Sequence, residues 1–234
     1  MKGTRFFRTS ALIAATLALG ACGTVVPSSR SSSGTEASRS SRPVASTPQV
    51  VAPRPGDAAC MADLNAAGAR FSAVPDRYDG PGCNMLGTVQ LSALRGDASQ
   101  FSVSNIGPLQ CRTAQVFNDW VRFGADRAAR QILGSPVARV ETFGSYSCRN
   151  IAGSSRRSAH ATAGAIDVAA FVLEDGRRIS IKDGWNGGSD KEREFLRIVH
   201  TSACKRFGTV LGPEYNRAHE DHLHLEQGGS SFCR

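Results

Sequence analysis

The sequence predicts an α+β domain that disulfide bonds stabilise. Within residues 57–234, two amphipathic helices and several short β runs follow one another in irregular order, which favours α+β over a doubly wound parallel sheet. The same segment is long enough to bury one sizeable core and holds an even number of cysteines. These cysteines are Cys60, Cys83, Cys111, Cys148, Cys204 and Cys233.

Residues 1–22 predict export and lipid anchoring. Lys2, Arg5 and Arg8 precede the apolar run ALIAATLALGA, which is typical of a secretory signal because it is too short to span a bilayer. The stretch LGAC resembles a bacterial lipobox with Cys22 as the lipidation site, and a plain secreted protein is the alternative. The residue after Cys22 is Gly23 and not an aspartate, which resembles lipoproteins of the outer rather than the inner membrane. We therefore expect a lipid-anchored protein of the cell envelope, on the outer membrane and facing the periplasm.

Residues 23–56 predict a disordered tether. They contain nine serines and five of the ten prolines, with scarcely any large apolar side chain, so they cannot bury a core. Arginines of the signal and the tether contribute to the formal net charge of +8, which therefore says little about the domain. Aromatic residues are only 7% of the chain, and we expect no nucleic-acid partner.

Periodicity predicts the elements of the domain. Residues 113–133 form an amphipathic helix with Val116, Trp120 and Phe123 on one face, and Asp190 opens a second helix over 190–207. The β runs are ARVETFG, AIDVAAFVL, GTVLG and HLHLE, at residues 138–144, 165–173, 208–212 and 222–226.

The six cysteines of the domain predict three disulfides, because the expected location is oxidising. A structural zinc cage is the alternative, but the sequence has no C-x-x-C pair. Sequence does not decide among the fifteen pairings of six cysteines. Closure of short loops favours Cys60 with Cys83, Cys111 with Cys148, and Cys204 with Cys233.

Histidines cluster near the C-terminus, in AHEDHLHLEQGG at residues 218–229. The helical zinc signature H-E-x-x-H fails there by one position, because the fourth residue after His219 is Leu223. His222 and His224 are two residues apart in a predicted strand, so they share one face.

Asp167 lies inside the apolar run AIDVAAFVL, where an unpaired charge would cost several kcal/mol. A salt bridge to Arg156 or Arg157 would neutralise it, and so would a divalent cation shared with His160, with Gly164 as the bend between the two ligands. Adding His222 or His224 gives two histidines and one carboxylate, the donor set of an open catalytic zinc site. Other metals also accept such ligands.

The pattern S-x-H-x₆-D followed by H-x-H resembles the zinc peptidases grouped with lysostaphin, D-Ala-D-Ala carboxypeptidases and the hedgehog domain. SAHATAGAIDVAAF and HEDHLHLE resemble more closely bacterial proteins with an extensin-like C-terminal domain. The resemblance covers most of residues 57–234 and implies a small antiparallel sheet that carries a zinc site and is flanked by helices. It also implies that the zinc ligands are His160, Asp167 and His224.

The resemblance implies two alternative arrangements for proton transfer. Carboxypeptidase-like members place a glutamate three residues before the final ligand, where this chain has the shorter Asp221. Endopeptidase members use histidines five and two residues before it, which correspond to His219 and His222. GSYSCRN resembles the stretch in which related peptidases carry a substrate-binding arginine, which makes Arg149 the candidate to bind a peptide carboxylate. Arg157 is an alternative, and Ser158 and Tyr146 are weaker candidates.

The function implied is a zinc-dependent peptidase that acts on peptidoglycan stem peptides or cross-links. The alternative is a non-catalytic zinc-containing module that binds wall peptides or a partner protein. Asp221, His219 and His222 favour the enzyme, because a pure binding module has no need of proton-transfer groups. Glu220 and Glu226 are expected to matter little.

Overall fold

The structure is a computed structural model that describes residues 54–228 and 231–234. The predicted signal sequence, Cys22 and the predicted tether up to residue 53 lie outside the described residues. The first helix begins at Pro55, so residues 55 and 56 of the predicted tether are helical. A proline is well suited to the first turn, because it has no N–H to leave unpaired. No helix in the described segments is long and apolar enough to cross a membrane.

The elements of the first half precede the predicted site residues. They are α1 (Pro55–Ala66), β1 (Arg70–Val74), β2 (Arg77–Gly80), β3 (Cys83–Met85), β4 (Thr88–Arg95), β5 (Gln100–Ser104), β6 (Pro108–Gln110) and α2 (Cys111–Trp120). The helix α2 continues through π-type turns at Val121–Asp126 and Ala129–Leu133. The predicted helix over 113–133 is therefore confirmed.

The second half carries the predicted site. Its elements are β7 (Val137–Gly144), a 3₁₀ turn (Ala159–Thr162), β8 (Ala165–Leu173), β9 (Arg178–Ser180), α3 (Ile181–Gly187), α4 (Asp190–Cys204), β10 (Thr209–Leu211), a 3₁₀ turn (Arg217–His219), β11 (Leu223–Glu226) and β12 (Phe232–Cys233). The four predicted strands and the second predicted helix are confirmed. Ser189 caps α4 through a capping box with Glu192.

The class α+β is confirmed, but the sheet is neither small nor purely antiparallel. Ten strands form one mixed sheet in the order β1-β4-β5-β7-β8-β11-β10-β12, with β6 beside β4 and β9 beside β8. The pairs β5–β7 and β10–β12 are parallel. A parallel pair needs a long crossover, and α2 with its π-type extension supplies one between β5 and β7.

Aromatic rings join the sheet to its covering helices. The ring of Trp120 in α2 lies 5.9 Å from that of Phe171 in β8, which lies 5.4 Å from that of Phe195 in α4. The indole N–H of Trp120 donates to the carbonyl oxygen of Val199 at 3.1 Å. This buried cluster fixes β8, the strand that contains Asp167. Phe123, in contrast, is 38% exposed, because the π-type turns from Val121 onward end the 3.6-residue period that predicted its inward position.

Three disulfides are present, but two of the predicted pairings are wrong. Cys204–Cys233 is confirmed, whereas the other bonds are Cys60–Cys111 and Cys83–Cys148. Packing of α1 on α2 brings the first pair together, and β3 lies near the loop after β7, which supplies Cys148. Short loops are a weak guide because the entropy of loop closure rises only slowly with length.

Candidate metal centre

The strands β8 and β11 place two predicted ligands side by side. They pair antiparallel, with Asp167 directly opposite His224 in the register. Directly opposed residues project to the same face, so the carboxylate and the imidazole meet. Oδ1 of Asp167 lies 2.9 Å from Nδ1 of His224.

The third predicted ligand, His160, comes from the 3₁₀ turn that precedes β8. The turn begins at Ser158, whose hydroxyl accepts from the His160 N–H at 3.4 Å. It ends at Ala163, which takes the left-handed conformation with φ 56°. The bend predicted at Gly164 therefore occurs one residue earlier. Gln110 anchors the turn, because its side-chain amide donates to the carbonyl of Thr162 at 2.8 Å.

The potential ligand atoms of His160, Asp167 and His224 converge. Nε2 of His160 lies 3.1 Å from Nδ1 of His224 and 3.2 Å from Oδ2 of Asp167. Ligands bonded to tetrahedral zinc at about 2.0–2.1 Å are separated by roughly 3.3–3.4 Å, so this spacing suits zinc. The imidazoles are buried, with His160 exposed by 2% and His224 by 7%.

The protonation of the three groups also suits a cation. The Nδ1–H of His160 donates to the carbonyl oxygen of Ser145 at 2.6 Å, which directs the lone pair of Nε2 towards Asp167. Two acceptors then face each other, and either a proton or a metal ion must lie between them. In the described part of the chain, the charged partners of Asp167 are histidines rather than Arg156 or Arg157.

The pKa values of Asp167 and His224 also depend on the contacts within this group. Burial by itself raises the pKa of Asp167, but the close contacts with the imidazoles of His160 and His224 outweigh it and hold the pKa well below its ordinary value. Burial lowers the pKa of His224, yet its bonds to Asp167 and Glu226 raise it to about 9. In the absence of metal, the cluster therefore retains a proton on His224, which a metal ion would displace.

His222 lies beside the three converging residues, and Asp221 orients it. The Nδ1–H of His222 donates to Oδ1 of Asp221 at 2.8 Å, while Nε2 lies 3.6 Å from Oδ1 of Asp167. Asp221 thus faces the outer edge of the imidazole, and the inner edge faces Asp167. The side chain of Asp221 is 39% exposed, compared with 12% for His222.

His219 closes the other side of the histidine cluster. Its ring centroid lies 5.2 Å from that of His222, and its Nδ1–H donates to Oδ1 of Asn216 at 2.7 Å. Burial, together with the neighbouring His222 and His224, lowers the pKa of His219 to about 4. The ring is therefore neutral, with the lone pair on Nε2.

Some residues of this region escaped the sequence patterns. Glu226 places Oε2 3.6 Å from Nε2 of His224, the ring nitrogen that points away from Asp167. Its spacing of two residues from His224 on one strand was the only available signal. Asn216 holds His219 and also caps its turn by accepting from the N–H of Ala218. The contact of His160 with Ser145 could not be predicted from residue type, because it is made by the backbone carbonyl of Ser145.

A cleft of about 460 Å³ opens beside His219, His222 and His224. Arg149 and Ser158 line it as well. The disulfide Cys83–Cys148 fixes the loop that carries Arg149.

The other substrate-binding candidates have structural partners and do not line the cleft. Arg157 donates to the carbonyl of Pro81 and to the side chain of Asn150, both at 3.0 Å. The hydroxyl of Tyr146 donates to Asp79.

Comparison with known proteins supports one family. The family described as Extensin-like protein C-terminus matches residues 58–234. No curated protein and no solved structure shows a significant match to the chain. Because the match extends over more than half of the sequence, the chain belongs to the Extensin-like protein C-terminus family.

Proposed function

We propose that this protein is a zinc-dependent peptidase of the cell envelope, which hydrolyses peptide bonds in peptidoglycan stem peptides or cross-links. The observation that carries the proposal is the convergence of His160, Asp167 and His224 within 2.9–3.2 Å, next to a histidine oriented by a carboxylate. A structural ion pair would not require the additional imidazole of His222, which Asp221 orients.

His160, Asp167 and His224 would hold the metal ion. When bound, zinc supplies Lewis-acid polarisation of a carbonyl group and activates water for attack. The protein holds the donor atoms in place through their outer contacts, since the Ser145 carbonyl fixes His160 and Glu226 faces the far nitrogen of His224.

His222 is the proposed general base. Its Nδ1–H donates to Asp221, so Nε2 carries the lone pair. Nε2 faces the ligand cluster, which consists of His160, Asp167 and His224. Asp221 is then a positioning residue. Of the two arrangements compatible with the sequence, this geometry favours the histidine arrangement. His219, which is neutral because its pKa is lowered to about 4, offers a further imidazole at the cleft for proton transfer.

The cleft would bind the peptide. Arg149 supplies the guanidinium for a peptide carboxylate, and a bidentate pair would fix its direction. Ser158 lines the cleft, but its hydroxyl also caps the turn of His160, so we expect a smaller share in binding. A lipid anchor at Cys22 would keep the domain close to the wall, with no further contact with the membrane.

Digestion of purified peptidoglycan tests this proposal. The zinc-loaded protein should release peptide fragments detectable by mass spectrometry, and a chelator should abolish release until zinc is restored. Saturable binding to the wall without release would refute the peptidase and favour a zinc-containing binding module.

A further inference from the structure

Large apolar side chains that reach solvent concentrate around His222. In the described part of the chain, seven such side chains are exposed by 38–74%. Four of them border the candidate site, namely Phe143, Ile151, Tyr215 and Phe232. Exposed apolar surface that gathers in one place is typical of a binding surface rather than of chance exposure.

Three of these four side chains line the cleft. Ile151 and Tyr215 are each 43% exposed, and Phe232 is 40% exposed. The ring of Tyr215 lies 5.5 Å from that of His219 and 5.7 Å from that of Phe232. This side of the site therefore has an aromatic wall that continues from the histidine cluster.

Phe143 lies outside the cleft lining and contacts His222 instead. It is 56% exposed, and its ring centroid lies 5.9 Å from that of His222 in an edge-on contact. The next residue, Gly144, pairs with Asp167, so the end of β7 brings Phe143 to the ligand cluster. More than half of this side chain contributes nothing to the core.

The rings form a continuous aromatic path across the site, composed of Phe143, His222, His219, Tyr215 and Phe232. Adjacent centroids along it are 5.2–5.9 Å apart. A path of four such steps would accommodate at most about seven residues of extended peptide. Phe143 extends this path beyond the residues that line the cleft, so it offers surface to a peptide longer than the cleft holds.

We propose that Phe143 is a specificity-determining residue that binds the portion of an extended peptide beyond the cleft, so that the bond cleaved is internal. This inference rests on the proposed function and selects cross-linked peptides over uncross-linked stem peptides as substrates. Covering the exposed half of a phenylalanine ring should strengthen binding by roughly tenfold.

Two probes purified from peptidoglycan test the inference: cross-linked muropeptide dimers and uncross-linked monomers. Wild-type protein should convert dimers to monomers in preference to trimming monomers. Phe143→Ala should reduce the ratio of the two kcat/KM values about tenfold, mainly by raising KM for the dimer. Phe143→Tyr should restore most of the ratio. Phe123→Ala is the matched control, because this exposed phenylalanine contacts Arg122 and Arg127 instead of a ring of the aromatic path.

Each outcome decides one point. Preference of the wild type for monomers, or an unchanged ratio in Phe143→Ala, would overturn the inference while leaving the peptidase intact. An equal loss on both probes would reduce Phe143 to a support for His222. If the zinc-loaded wild type cleaves neither probe, the peptidase proposal fails. In that case, fluorescence titration measures the affinity of the dimer for wild type and for Phe143→Ala. Equal affinities would refute the role of Phe143 in binding.

Discussion

Among the described residues, two groups of side chains bring potential metal ligands together, and the donors of one group suit a metal ion better. In each group the potential ligand atoms lie within 4.8 Å of one another. The ligand cluster consists of His160, Asp167 and His224. The disulfide cluster consists of His200 and the bonded pair Cys204–Cys233.

The difference lies in what the donor atoms can still do. Oxidised sulfurs carry no thiolate, so the disulfide cluster has lost its best ligands. Nε2 of His200 lies 3.3 Å from a main-chain oxygen of Arg234, and the His200 ring packs on Trp185. In the ligand cluster, the outer contact with the Ser145 carbonyl instead leaves a lone pair of His160 facing inward. Proximity alone therefore does not define a metal site, whereas the direction and protonation of the donors do.

The largest expected effect separates the two clusters by their zinc content. Purified protein should contain about one zinc per chain by elemental analysis. His160→Ala, Asp167→Ala and His224→Ala should each lose most of it, because two remaining ligands hold zinc poorly. The double variant Cys204→Ser/Cys233→Ser should keep it. Zinc retained in the ligand variants and lost from the cysteine variant would reverse the comparison.

The next prediction separates the metal ligands from the neighbouring base. His222→Ala should keep its zinc but lose about 10²–10⁴-fold in rate, because no other group in its place accepts the proton. Asp221→Asn should lose only about 10–100-fold, since it disturbs the orientation of His222 rather than removing it. Release of fragments from peptidoglycan, measured at equal zinc occupancy, checks both values. A larger loss in Asp221→Asn would favour the aspartate as the base.

Local patterns predicted the ligand cluster better than its surroundings. The apolar neighbours of Asp167 and the two-residue period of β11 predicted that His160, Asp167 and either His222 or His224 would lie together, and the family resemblance supplied the choice of His224. The outer contacts could not be predicted in this way, because the Ser145 carbonyl reaches His160 only through the packing of distant segments. The pairing Cys83–Cys148 has the same origin. Sequence reasoning also missed α1, which buries only Cys60 and Leu64 and so lacks an apolar stripe.

The disulfide cluster should matter for stability rather than for chemistry. Its bond closes a segment with a sequence separation of 29 residues. The chain-entropy relation gives a loss of about 3–4 kcal/mol in the free energy of unfolding for Cys204→Ser/Cys233→Ser. Denaturant titration of the double variant against wild type measures this value. Unchanged stability, or a loss of zinc that precedes unfolding, would contradict a purely structural role.

The smallest expected effect concerns Glu226, which distinguishes the outer contacts of the two clusters. Its carboxylate lies 3.6 Å from the outer nitrogen of His224, where it would favour the tautomer whose Nδ1 is free to bind metal. In the part of the chain that the structure describes, no acidic side chain pairs with His200, whose ring nitrogen faces a main-chain oxygen of Arg234. Glu226→Gln should therefore weaken zinc affinity about tenfold, measured by competition with a chelator, without unfolding the domain.

Glu220→Gln is the matched control, because Glu220 is exposed and should leave the affinity unchanged. Equal affinities of the two variants would show that the Ser145 carbonyl and Asp167 suffice to orient the ligands. Glu226 would then matter little, as we expect from its position beyond the last ligand.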